Sequence, residues 1–184
     1  MTRNKLPWVA AVIIGGVIFA ALVYQFRSRP DMAPVGISPP SREMPQEPVH
    51  LYFADRNNTH LTAEQRLLPR PEDSAALARR IVEALIQGPE TGLVRTLPER
   101  ATVEAVFITP DGTAYVDLNE SIRNGHPGGS RTELLTVYSI VNSIVLNIAG
   151  VDSVKLLIDG QEVDTLSGHI SLKAPLQANM LMVR

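Results

Sequence analysis

Cysteine is absent from the 184-residue chain. That excludes disulfide staples, thiolate metal sites, a cysteine nucleophile and a lipidated cysteine. Grouped basic residues are absent from the larger part of the chain. Residues 49–184 carry 12 Lys/Arg against 16 Asp/Glu, a net of −4, whereas residues 1–48 carry five against three, a net of +2. Neutralising nucleic-acid phosphates needs clustered Lys/Arg, so nucleic acid is excluded as a partner class. The four histidines, His50, His60, His126 and His169, show no i, i+3 or i, i+4 spacing of a metal-binding helix. No serine sits in a G-x-S-x-G elbow. The sequence therefore implies no cofactor, no metal and no catalytic residue.

What the chain does have is Leu6–Phe26, 21 residues without a charge. Such a run is long enough to cross the ~30 Å hydrocarbon core of a bilayer as one helix. Trp8 and Tyr24 lie near its ends, where amphipathic rings favour the membrane interface. The run exceeds the 7–15 apolar residues of a cleavable signal, so a retained single-pass anchor is expected. Two basic residues flank each side: Arg3 and Lys5, then Arg27 and Arg29. The short basic tail in front resembles the start of an export signal. It places the N-terminus in the cytoplasm and the rest outside the inner (plasma) membrane.

Residues 27–48 read as a linker with six prolines, which favour extended polyproline II. Fully extended, this segment would hold a domain up to about 70 Å from the bilayer. The expected organisation is a tail and anchor over 1–26, the linker over 27–48 and one domain over 49–184.

Within that domain Val49–Phe53 reads as a strand, and Glu64–Leu68 as a possible short second strand. A helix is expected over Ser74–Gln87, capped by Asp73 or Ser74 and stopped by Gly88-Pro89. Val103–Thr109 and Thr113–Leu118 form a hairpin around Pro110-Asp111-Gly112. Residues 119–129 read as a polar loop. Ser130-Arg131-Thr132-Glu133 has the spacing of a capping box, followed by a stripe of Leu134, Val137, Val141, Ile144, Val145 and Ile148. Val154–Ile158 is a strand, Asp159-Gly160 a turn, Glu162–Thr165 its return, and His169–Leu172 a possible edge strand. The order predicts an α/β (α+β) sandwich, a single small sheet with two main helices on a face.

This order and its punctuation resemble the GerMN domain family of sporulation and germination proteins. The residues that carry the resemblance are Leu51-Tyr52-Phe53, Ala84-Leu85 before Gly88-Pro89, Pro98, Val116-Asp117-Leu118, Gly150-Val151 with Val154, and Ile158-Asp159-Gly160. They span about residues 49–165. The resemblance implies an exported, membrane-tethered binding or assembly module, with a fold like that of ring-building envelope domains and no catalytic residues. The chain departs from the namesake protein in having one such domain rather than two.

Three groupings remain as chemistry candidates. Ser167-Gly168-His169 with Asp164 contains triad residue types, and Asp117 with Glu120 is a carboxylate pair. Gly128-Gly129-Ser130 opens a helix with free backbone N–H groups, the best candidate ligand-binding loop for an anionic group of a peptide or glycan. The expected function is a non-enzymatic, membrane-anchored envelope module that binds another envelope protein or itself. The alternative is a peptidoglycan- or carbohydrate-binding module, and the remaining class a membrane-tethered hydrolase.

Overall fold

The structure, a computed structural model, describes residues 45–184. The apolar run Leu6–Phe26 and most of the proline-rich segment lie outside the described residues. Among the described residues no helix is long and apolar enough to cross a membrane.

The elements are β1 (Gln46–Ala54), β2 (Leu61–Pro69), α1 (Ser74–Gln87), β3 (Val103–Ile108), β4 (Thr113–Leu118), α2 (Ser121–Asn124), α3 (Ser130–Val145), β5 (Ser153–Ile158) and β6 (Gln161–Glu162). A 3-10 turn follows at Met180–Met182. β1 starts three residues before Val49, so Gln46–Pro48 belong to the sheet rather than to the linker. The expected polar loop 119–129 contains the short α2. The expected return strand shrinks to Gln161–Glu162.

α1 is built by local signals. The Asp73 carboxylate accepts from the backbone N–H of Ala75 and Ala76, each at 3.2 Å, satisfying two of the free donors of its first turn. Gly88 ends it with φ 93°, a conformation that side-chain-bearing residues rarely adopt. Arg95 then donates to the carbonyls of Ile86 and Gln87, placing a cation on the last turn. A Cβ at Gly88 would sit 2.6 Å from that guanidinium, the far end of a flexible side chain, so it is the positive φ that calls for glycine here.

The strands form two sheets, not one. β1 and β2 pair antiparallel. The second sheet has the order β3-β4-β5-β6, with β4 and β5 parallel across the α3 connection. The reason is at the outer edge of β1, which α3 occupies. Asn147, just past α3, accepts from the His50 N–H and donates to the His50 carbonyl, both at 2.8 Å. Ser143 Oγ accepts from the Tyr52 N–H at 3.0 Å, and Ser139 Oγ donates to the Tyr52 carbonyl at 2.6 Å. Ala54 exchanges both backbone groups with Val94. A four-residue helical step advances about 6 Å, close to the roughly 6.7 Å of a two-residue strand step, so a polar stripe at i, i+4, i+8 tracks one strand edge. A strand whose edge is filled this way has no group left to join a larger sheet.

The main core lies between these layers, beside a smaller cluster of Tyr52, Ala54, Leu61 and Leu135. It contains Leu51 and Phe53 of β1, Ile81 and Leu85 of α1, Val116 and Leu118 of β4, Ile140 and Ile144 of α3, and Val154 of β5. Each such side chain contributes about 1.5–3 kcal/mol on burial. α3 is enclosed on more than one stripe. Leu135, Thr136, Ser139, Asn142 and Ser143 are buried along with Val137 and Val141, while Leu134, expected inside, is only half-buried.

Candidate functional site

Glu133 does not close a capping box. Gly129 is the N-cap of α3, and among the described residues no side chain bonds the free N–H groups there. The Glu133 side chain is fully buried and turns instead to the segment after β6. Oε1 accepts from Leu166 N–H at 3.0 Å and Ser167 N–H at 2.8 Å. Oε2 accepts from His169 N–H at 2.8 Å and from the His169 ring at Nδ1, 3.0 Å. Burial pushes the carboxyl upward. The N–H groups of Ser167, His169 and Ile170 and the His169 ring outweigh it and hold the group below its ordinary value.

Asp55 does the same work for the β1–β2 turn. Its carboxylate accepts from the N–H groups of His60, Thr59 and Asn57 and from the Thr59 hydroxyl. The His60 N–H leads the causes that hold its pKa well below the carboxylate range. Glu64 on β2 fastens the loop after α1, accepting from Glu90 N–H, Thr91 N–H and the Thr91 hydroxyl. Burial raises its pKa and these bonds, led by the Thr91 hydroxyl, lower it further than burial lifts it.

Two of these staples fix the walls of an open cleft of about 390 Å³. Thr59 is set by Asp55, and Ile170 follows the segment held by Glu133. Ser130, Arg131 and Leu134 of α3 and Met182 complete the lining. Arg131 donates to the Thr59 carbonyl at 3.2 Å, which ties the β1–β2 turn to α3. The floor is apolar and the rim carries two hydroxyls and a guanidinium.

Of the expected ligand-binding loop, Ser130 lines this cleft. Gly128 and Gly129 precede it with φ of 81° and 86°, and a Cβ on either would meet nothing within 4 Å. Glycine is needed there for the backbone turn, not for close packing. His126 Nδ1 accepts from Gly128 N–H at 3.0 Å, and Nε2 lies 3.2 Å from the Thr136 hydroxyl. That hydroxyl donates to the Thr96 carbonyl, so it receives from Nε2–H and the ring is neutral. Burial, the main cause, lowers the His126 pKa in keeping with this.

The structure disperses the other groupings. Asp164 pairs with Lys173 at 3.5 Å, while His169 turns its Nδ1 to Glu133, so Ser167, His169 and Asp164 form no relay. Glu133 and His169 have the orienting half of a triad. Among the described residues no hydroxyl is bonded to His169 Nε2. Asp117 accepts from Gly160 N–H at 2.9 Å, and Glu120 pairs with Arg123 at 3.3 Å, two separate structural roles. His50 lies exposed on β1 and His60 in the β1–β2 turn. Among the described residues no three metal-ligating side chains converge. Sequence reasoning missed Thr59, Arg131, Ile170 and Met182, which come together only through the fold.

Comparison with solved structures finds the same architecture elsewhere. The first GerMN domain of the sporulation protein GerM from Bacillus subtilis is 26% identical, with a TM-score of 0.60, over 72% of this chain and 98% of that one. The tandem GerMN domains of the same protein match at 26% identity and TM-score 0.60, and there this chain covers only 46% of the other. A putative lipoprotein from Clostridium perfringens shares the fold, at 24% identity and TM-score 0.51 over 72% of this chain and 87% of that one. No curated protein matches. The family described as sporulation and spore germination matches residues 50–164, more than half of the chain, and the chain belongs to that family.

Proposed function

We propose that this protein is a non-enzymatic assembly module of the cell envelope. It is anchored by Leu6–Phe26 in the inner membrane, displays one GerMN domain outside on the proline-rich segment, and binds another envelope protein or a second copy of itself. The observation that carries this reading is how the domain uses its side chains. Its buried carboxylates, Asp55, Glu64 and Glu133, are filled with loop-holding hydrogen bonds. Its exposed surface instead offers large apolar groups: Leu67 on β2 is 61% exposed, and Phe107 on β3, stacked on Tyr115 with ring centroids 4.7 Å apart, is 47% exposed. Such groups add contact area and no acid–base chemistry. Tethering concentrates a weak interaction of this kind at the membrane.

The test compares two kinds of change at matched protein levels in the same cells. Single alanine substitutions at His50, His60, His126, His169, Asp117 and Glu120 should each leave cellular function largely intact. Releasing the domain from the membrane should impair it. Full complementation by a released domain, together with loss of function from one of those alanine changes, would favour a hydrolase instead.

The lining of the cleft favours a second reading, a peptidoglycan or carbohydrate binder. Thr59, Ser130 and Arg131 over Leu134, Ile170 and Met182 combine hydrogen-bonding groups with an apolar floor, a mix that suits a sugar or a short wall peptide. Titration with soluble wall fragments decides it. Saturable binding lost in Arg131→Ala supports the binder, and no binding leaves the assembly reading.

A further inference from the structure

The β1–β2 sheet has a second edge. His50 and Tyr52 of β1 point their backbone groups at α3, so their partners across the ladder, Gln65 and Ala63, point theirs the opposite way. Leu67, opposite Pro48, follows the same alternation. Among the described residues no backbone or side-chain group bonds the outward N–H and C=O of Ala63, Gln65 or Leu67. All three residues are exposed. Strand edges are usually blunted by lysine, a bulge or a cover. This stretch carries no lysine, its ladder with β1 runs without a register shift, and its exposed side chains are alanine, glutamine and leucine.

The open stretch has defined ends. The Leu61 carbonyl accepts from Arg184 N–H at 2.9 Å, in a bridge with Val183 that closes the edge before Ala63. Pro69 lacks a donor and closes it after Leu67.

We propose that this edge pairs with the same edge of a second copy of the chain, β2 against β2 antiparallel, about a two-fold axis at Gln65. The proposal rests on the assembly reading for its use in the cell and names the partner and the surface. An axis at Ala63 would set Leu67 opposite Thr59, whose N–H and carbonyl are already bonded to Asp55 and Arg131. An axis at Leu67 would require an N–H from Pro69. Only an axis at Gln65 lets all three open residues exchange hydrogen bonds; it sets Pro69 of the second copy opposite Leu61, so pairing also moves Val183 and Arg184 off that end of the strand. That register is also complementary. Glu64 falls opposite Arg66 of the second copy on one face, so no like charges meet. On the other face Ala63 falls opposite Leu67, small against large, and Gln65 opposite Gln65, where the two amides can bond each other. Two two-stranded sheets become one four-stranded sheet, with the same patch used by both copies.

The absence of cysteine makes this testable by single-cysteine cross-linking of the full-length chain. A hydrogen-bonded antiparallel pair brings Cα atoms to about 5.5 Å, within disulfide range. Mild oxidation should link Gln65→Cys into dimers. Leu67→Cys, although highly exposed, should give several-fold less dimer, because the two Leu67 positions lie four residues apart in register. Ala63→Cys combined with Leu67→Cys should restore linkage. In parallel, Gln65→Pro should abolish concentration-dependent self-association in sedimentation while leaving thermal unfolding unchanged. Equal linkage of Gln65→Cys and Leu67→Cys would overturn the pairing. So would a chain that stays monomeric while capturing another envelope protein, and that result would leave the proposed function standing.

Discussion

Along β1, the outward groups of His50, Tyr52 and Ala54 meet Asn147, Ser143, Ser139 and Val94. Along β2, the outward groups of Ala63, Gln65 and Leu67 meet no partner among the described residues. The two edges belong to one two-stranded sheet, yet one is filled by side chains of a helix and the other is left open between two stops. The filled edge explains the architecture: it keeps β1 out of the four-stranded sheet and lets α3 sit between the layers. The open edge offers an interaction surface whose hydrogen-bond pattern is already formed. In the proposed pairing, fold and association divide between the two edges of a single hairpin.

The largest effect is expected at the helix that fills the closed edge. Glu133→Leu leaves the N–H groups of Leu166, Ser167 and His169 without their acceptor. Urea unfolding should show a loss of about 3–5 kcal/mol, whereas Glu133→Gln, which keeps an acceptor, should lose less. A loss below that of the glutamine variant would mean that the carboxylate does not hold the segment. Next comes the edge itself. Ser143→Val combined with Asn147→Leu keeps the helix surface filled but strips the His50 and Tyr52 N–H groups of their acceptors. It should cost about 2–4 kcal/mol and make the chain aggregate through β1. Equal stability with no aggregation would show that α3 does not close that edge.

The boundaries of α1 were legible because Asp73, the apolar spacing and Gly88 all act within a few residues of one another. The β3–β4 hairpin was legible from Pro110-Asp111-Gly112 for the same reason. The role of Glu133 was not, because Ser-x-x-Glu fits a capping box equally well. The choice is made by N–H groups more than 30 residues further on that arrive only when the chain is folded. The i, i+4, i+8 spacing of Ser139, Ser143 and Asn147 was not read from the sequence, because polar residues at helical spacing fit a solvent-facing side as well as a strand edge. Of the cleft, Ser130 was legible from the glycines before it. Thr59, Ile170 and Met182 were not, since nothing local links them. The two-sheet arrangement was hidden because strand order alone does not state which edges a helix fills.

A smaller effect is expected from acid. Glu133, Glu64 and Asp55 are all held below their ordinary pKa in the folded chain. An unfolded chain then binds more protons than the folded one in the acid range. Stability should be fully present above about pH 4.5, the ordinary glutamate value, and should decline as pH falls through the lowered folded values. Unfolding midpoints measured down the acid range should show this decline, and Glu133→Gln should make it shallower. A midpoint that rises on acidification would contradict the sign. The smallest effect on folding belongs to the open edge. Gln65→Lys should change stability by less than about 0.5 kcal/mol, because its side chain is exposed and its outward backbone is unpaired. The same change places like charges opposite each other in the two-fold pair and should abolish self-association. A large loss of stability would mean that the β2 edge is engaged within one chain.

Residue-resolved amide exchange on the full-length chain, followed over a range of protein concentrations, reads both edges at once. Exchange at His50 and Tyr52 should be slow at every concentration. Exchange at Ala63, Gln65 and Leu67 should be fast in dilute solution and slow together as concentration rises. Fast exchange at His50 and Tyr52, or exchange at Ala63, Gln65 and Leu67 that ignores concentration, would contradict this division between the edges.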